Sequence, residues 1–312
     1  VGRNVRVRIG YNGNPIASGA EYDHLDFTNL TSGQSITSMV SYWGTQGTGA
    51  DSAYGCFGDT TVKRTGKNSS LRLSIKQGST GRPGDGAAVT EGDYGFGYNL
   101  PAKVNQGGTV RVGAWVRIPT GWSWAPTGGG KFLRLLKCDS GGSPTGRKVE
   151  TFILNGTWIS GPDDEQYGWL HVTEGNDQLE AETKHQADST VFLQEGVWHW
   201  VESYVKCHSD GSLSERRWWV DNILTHEIIG NALKYRNSSG TYSTQTWSGG
   251  IPTIETSDGG IDEMMFLTYW NGGAPQDQSF YLSELVISNN NEDASDLATD
   301  AFGNKMIGNA HV

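Results

Sequence analysis

Apolar and polar residues alternate along most of this chain, the pattern of strands that bury one face. SSLRLSIK (69–76) puts Leu71, Leu73 and Ile75 on one side. TVRVGAWVRIP (109–119), KFLRLLK (131–137) and ETFILNGTWI (150–159) repeat the alternation. The clearest pair is WHWVESYVK (198–206) and RRWWVDN (216–222), separated by the turn-like HSDGSLSE. The first member carries Trp198, Trp200, Glu202, Tyr204 and Lys206 on one face and Val201, Ser203 and Val205 on the other. IDEMMFLTYW (261–270) and SFYLSELVIS (279–288) close the series. No segment keeps a helical period for longer than a turn or two. The pattern predicts an all-β fold, an antiparallel two-sheet β-sandwich.

Around these strands the chain divides into three parts. Residues 1–20 carry VRVRI with Arg3, Arg6 and Arg8 nearby, then break at YNGNP. They read either as an ordinary first strand or as an arm that pairs with a sheet edge, in the same chain or a neighbour. The arm reading predicts a homo-oligomer or attachment to a larger assembly. Residues 21–290 form the sandwich, with no linker and no fixed repeat. Residues 291–312 read as a C-terminal strap. The stretches 44–60 and 77–97 read as long Gly-rich loops, 160–190 as a polar, acidic excursion, and the residues from 231 through Trp247 as a polar loop.

Composition narrows the classes of function. The 312 residues include 44 Gly, 12 Trp and 12 Tyr, which suits strands joined by Gly turns and opposes a helical bundle. Net charge is −10 and Lys and Arg are scattered, so no stripe for nucleic acid exists. No window is long and apolar enough to be a membrane-spanning helix. Three cysteines, Cys56, Cys138 and Cys207, lack metal-ligand spacing and read as buried thiols, with one disulfide plus a free thiol as the alternative. Sequons begin at Asn29, Asn68, Asn155 and Asn237, as chance allows in so Asn- and Ser-rich a chain.

A sheet face mixing indoles, a phenol, a carboxylate and an ammonium is unusual if it meets only water. It suits a sugar polymer: flat apolar platforms for ring faces and polar heads for hydroxyls. KFLRLLK, GVWHWVESYVK, RRWWVDN and LTYWNGGAPQDQSFYLSELVIS, in that order, resemble the concanavalin A-like lectin/glucanase jelly rolls. The likeness is nearest to the branch holding small polysaccharide lyases and viral or surface glycan-binding domains. This resemblance implies two curved sheets and a groove on the concave one. Its candidate lining is Trp200, Glu202, Arg217, Trp219 and, near one end, Tyr269, Trp270 and Asn271. A Glu202–Arg134 pair across neighbouring strands would hold both heads in place. The competing reading covers this face with the 160–190 excursion and makes its aromatics core.

Three functions compete. The first is a non-catalytic glycan-binding or surface protein, expected outside the cell or on a particle such as a virion. The second is a polysaccharide lyase cleaving a uronate polymer by β-elimination, with Tyr204 as base and Arg134 and Lys206 neutralising the carboxylate. The third is a structural coat or fibre subunit. A hydrolase fits poorly, because Asp262 and Glu263 are adjacent and not spaced along one face. No reading requires a cofactor. The resemblance implies a structural calcium at the sheet rim, with Asp26 and Glu284 as donors. The family more often has Asp-Asp where this chain has Ser283-Glu284, which favours two ordinary carboxylates.

Overall fold

Alternation on this scale requires a second layer for each apolar face, and the computed structural model supplies it as two stacked antiparallel sheets. It describes residues 22–34, 36, 55–78, 96–123, 130–138, 144–154, 169–170, 185–186, 193–221, 223–236, 240–246, 254, 259–270 and 274–288. The proposed arm (1–20) and strap (291–312) lie outside these residues.

Sixteen strands are present among the described residues. They are β1 (Tyr22–Asp26), β2 (Gly55–Asp59), β3 (Ser70–Ile75), β4 (Phe96–Val104), β5 (Thr109–Arg117), β6 (Gly130–Cys138), β7 (Pro144–Leu154) and β8 (Trp169–Leu170). Then follow β9 (His185–Gln186), β10 (Trp198–Lys206), β11 (Glu215–Val220), β12 (Ile223–Ile229), β13 (Ala232–Arg236), β14 (Tyr242–Thr246), β15 (Gly260–Trp270) and β16 (Gln278–Ser288). The large sheet has ten strands in the order β14-β13-β12-β11-β10-β5-β16-β3-β2, with β1 also paired to β16. The small sheet has six, in the order β4-β15-β6-β7-β8-β9.

The core lies between the sheets. Val201 and Val205 of β10, Val112, Ala114 and Val116 of β5, and Leu285 and Ile287 of β16 face it from the large sheet. Leu133 and Leu135 of β6, Met264 and Phe266 of β15, and Phe96 of β4 face it from the small sheet. Phe96 stacks on Phe266 at 5.7 Å, and Phe266 meets Phe280 of β16 at 6.4 Å, which ties the layers together. All three cysteines are buried thiols, as the thiol reading expects. Burial and the nearby Asp262 carboxylate push the Cys138 thiol up to about 11, so it stays protonated.

Four strands fall where the sequence promised loops or nothing. β2 (GCFGD) lies inside the Gly-rich stretch 44–60, and β4 begins inside the next one. β13 and β14 occupy the supposed polar loop before Trp247. β13 pairs with β12 and β14 with β13; Leu233 of β13 is fully buried in the core, whereas YSTQT of β14 shows no apolar stripe and takes its order from that pairing. From the 160–190 excursion, β8 and β9 extend the small sheet beyond β7.

Candidate functional site

The face of β10 that carries Trp200, Glu202 and Tyr204 points away from the core, because Val201 and Val205 between them point into it. It is a closed wall. Trp200 is 0 %, Tyr204 2 %, Glu202 3 % and Trp219 8 % exposed. The open groove expected along β10 is therefore corrected: these rings and heads are spent on one another.

Local pairing brings these groups together. β10 lies between β5 and β11, with Glu202 opposite Gly113 and Trp219, and Tyr204 opposite Arg111 and Arg217. Gly113 makes room for the Trp200 indole; a Cβ there would lie 2.3 Å from the ring. Trp200 sits beside Trp115, ring centroids 5.7 Å apart, and donates its indole N–H to Glu202 Oε2 at 3.1 Å. The other Glu202 oxygen lies 2.8 Å from Arg111 Nη1. Burial drives the Glu202 carboxyl above the usual carboxylate range, opposed by Arg111 and the Trp200 N–H. Arg111 also lies 5.2 Å from the ring centroids of both Tyr204 and Trp219.

The wall continues outward as a row of ion pairs. Arg217 lies 5.4 Å from the Tyr204 ring on its other side. It donates to Glu227 at 2.6 Å and to Glu215 at 2.9 Å, and Glu215 also takes Lys206 at 3.4 Å. Register carries the row on to Lys234 and Thr244, both exposed. A second anchor fixes the start of β10. His199 Nε2 accepts the Gln194 N–H at 2.9 Å, so Nδ1 carries the proton and donates to Asp221 at 2.7 Å.

Arg134 is not part of this wall. It lies on β6 of the small sheet, between Leu133 and Leu135, whose side chains point into the core. Arg134 therefore faces outward on the opposite side of the sandwich, where it is itself buried, and the expected Glu202–Arg134 pair is replaced by Glu202–Arg111. The proposed lyase trio of Tyr204, Lys206 and Arg134 is likewise split between the two outer faces. Tyr269 and Trp270 close β15, next to β6, so the small sheet brings them nearer to Arg134 than to Trp200; Asn271 lies outside the described residues. Around Arg134 the register gives the row Gly97–Met265–Arg134–Glu150 and, beside it, Asn99–Glu263–Leu136–Lys148. Asn99 is exposed and Glu263 half-buried, so this face opens toward β4.

The calcium donors are also otherwise engaged. Asp26 and Glu284 are directly opposite in register, as a shared site would need. Asp26 Oδ1 accepts from the Thr28 N–H and hydroxyl at 2.8 and 2.6 Å. Glu284 takes Arg64 at 2.6 Å and Lys67 at 3.2 Å, two cations where the site needs a third. Among the described residues no group of three or more His, Cys, Asp or Glu could hold a metal ion.

Sequence reasoning missed Arg111, Gly113, Trp115 and Arg64. The first three were visible: TVRVGAWVRIP puts Arg111, Gly113, Trp115 and Arg117 on one face by the same alternation as β10. Arg64 sits in a connection and carries no periodic signal.

No family model and no curated protein matches the chain. Solved structures match it by fold. The alginate lyase Aly36B superposes with a TM-score of 0.51 at 13 % identity, over 85 % of this chain and 96 % of that one. An endo-1,3-beta-glucanase from Streptomyces sioyaensis gives a TM-score of 0.47 at 12 % identity, over 88 % and 98 %. An endo-beta-1,4-glucuronan lyase from the fungus Trichoderma reesei gives 0.45 at 15 %, over 74 % and 85 %. With its two antiparallel sheets, this protein has the concanavalin A-like jelly-roll fold. No helix among the described residues is long and apolar enough to cross a membrane.

Proposed function

We propose that this protein binds a polysaccharide without cleaving it, outside the cell or on a particle surface. The polymer lies along the outer face of the small sheet toward β4, where Asn99 is exposed and Glu263 half-buried, with Tyr269, Trp270 and Asn271 as the further contacts expected from the sequence. One observation carries this reading: Tyr204, the candidate base, is sealed between Arg111 and Arg217 on the large sheet, while Arg134 faces the other way. A β-elimination needs base and carboxylate neutraliser on the same sugar residue. The jelly-roll likeness supports a glycan as the partner, because Aly36B is an alginate lyase. That same likeness favours the second reading, a lyase, which would need a base on the small sheet in place of Tyr204. The N-terminal arm belongs to the proposal as an assembly element; deleting residues 1–20 releases monomers, and an unchanged mass overturns that part.

The test is incubation with a panel of alginate, glucuronan and neutral glucans, following unsaturated-uronate absorbance and binding in parallel. Binding without absorbance, weakened about tenfold by Trp270→Ala and untouched by Tyr204→Phe, is the expected result. Rising absorbance replaces the binding reading with the lyase one. Silence in both assays points to a structural subunit.

A further inference from the structure

The connection between β2 and β3 crosses the outer face of the large sheet, and its two ends are held differently. Its base is tied by hydrogen bonds, most of them from backbone N–H groups. The Thr61 and Val62 N–H groups donate to Asp59 at 2.7 and 2.8 Å. The Asn68 and Ser69 N–H groups donate to Thr28 O at 3.2 and 3.0 Å. The Ser69 hydroxyl donates to Phe27 O at 2.8 Å and accepts the Leu30 N–H at 2.7 Å. Its tip reaches the sheet through charge. Arg64 and Lys67 share the Glu284 carboxylate, and the Arg64 guanidinium lies 3.9 Å from the centre of the Trp115 ring. Between these two residues Thr65 and Gly66 are exposed, as is Lys63 just before them.

The sheet is shaped to meet that tip. The pairing of β16 with β5 slips between Leu282 and Leu285, and Glu284 lies within the slip. Such bulges re-aim a side chain out of the regular pleat. Glu284 stands directly opposite the like-charged Asp26 of β1, an arrangement that opposes pairing. Two strap cations offset this. Beneath Arg64, Trp115 is only half-buried and rests on Trp200, whose small cluster with Val286 is separate from the main core.

We propose that residues 63–67 form an ionic latch that opens while the base of the strap and both sheets stay folded. Opening uncovers the Trp115 face and the Glu284 carboxylate beside it. An indole face with an adjacent carboxylate suits a guanidinium or ammonium group. Arg64 is that group in the closed state. The latch is independent of the glycan reading.

Hydrogen exchange on the intact protein tests it. The Lys67 amide donates to Arg64 O at 3.1 Å and reports the tip; the Asn68 and Ser69 amides report the base. Arg64→Ala and the shape-conserving Glu284→Gln should each speed exchange at the Lys67 amide by about tenfold. The base amides should keep their protection. Raising salt in the unmodified protein should act in the same direction. Acrylamide quenching of tryptophan emission should rise in Arg64→Ala and lose that increment in Arg64→Ala/Trp115→Phe. Unchanged tip exchange in both variants overturns the latch, and so does loss of protection at tip and base together.

Discussion

The outer faces of the two sheets draw on similar residues, bury them alike and differ in how their charges are partnered. On the large sheet, Arg111, Glu202, Trp200, Tyr204 and Trp219 are neighbours across β5, β10 and β11, joined by an ion pair, an indole–carboxylate hydrogen bond and cation–ring contacts. On the small sheet, Arg134 stands on β6 with Met265 opposite, both buried, and the surface opens only beyond them, through Glu263 to Asn99. Aromatic and charged residues on a sheet face do not by themselves mark a binding surface. Partners on both neighbouring strands turn the same residue types into a second, polar core.

The comparison breaks most readily at Glu202. Glu202→Ala leaves Arg111 buried without its carboxylate, and the expected loss is about 3–5 kcal/mol by denaturant unfolding. A loss below about 1 kcal/mol would mean that the wall is wetter than its geometry. Next comes Gly113→Ala, which drives a Cβ into the Trp200 ring; about 1–3 kcal/mol should be lost, and much less in a Trp200→Leu background.

A third effect is a slope with pH. Burial first, against Arg111 and the Trp200 N–H, raises the Glu202 carboxyl in the folded chain. The folded protein therefore holds that proton more tightly than the unfolded chain does. This contribution to stability is complete below the unfolded value and is lost as pH rises toward the folded one. Glu202→Gln should flatten unfolding midpoints across that window; an unchanged slope would assign it to other groups. The smallest effect is expected at the partly exposed end of the row. Arg217→Ala should lose about 1 kcal/mol or less, part of it recovered in high salt. A loss as large as that of Glu202→Ala would extend the closed wall to β12.

Much of the fold was legible because a period of two leaves little choice: Leu71, Leu73 and Ile75, or Val201 and Val205, had to face a second layer. Strands without that contrast were not. GCFGD of β2 and YSTQT of β14 have no apolar stripe, and only their neighbours order them. For the candidate site, alternation correctly grouped Trp200, Glu202 and Tyr204 on one face. It could not say which strand lies beside β10. Arg134 and Arg111 are equally good partners for Glu202 on paper, since each is an arginine on an alternating strand. Topology chose Arg111 by placing β5 next to β10 and β6 in the other layer.

The sequence by itself determined strand character, the sharing of faces within each strand and a two-sheet sandwich, because these follow from side-chain period and composition; the jelly-roll class entered only through the family resemblance. Tertiary structure decided strand order, and with it who pairs with Glu202 and Glu284 and which groups each outer face buries. Those outcomes depend on neighbours remote in the chain: Arg64 meets Glu284 across 220 positions, a separation no local pattern encodes.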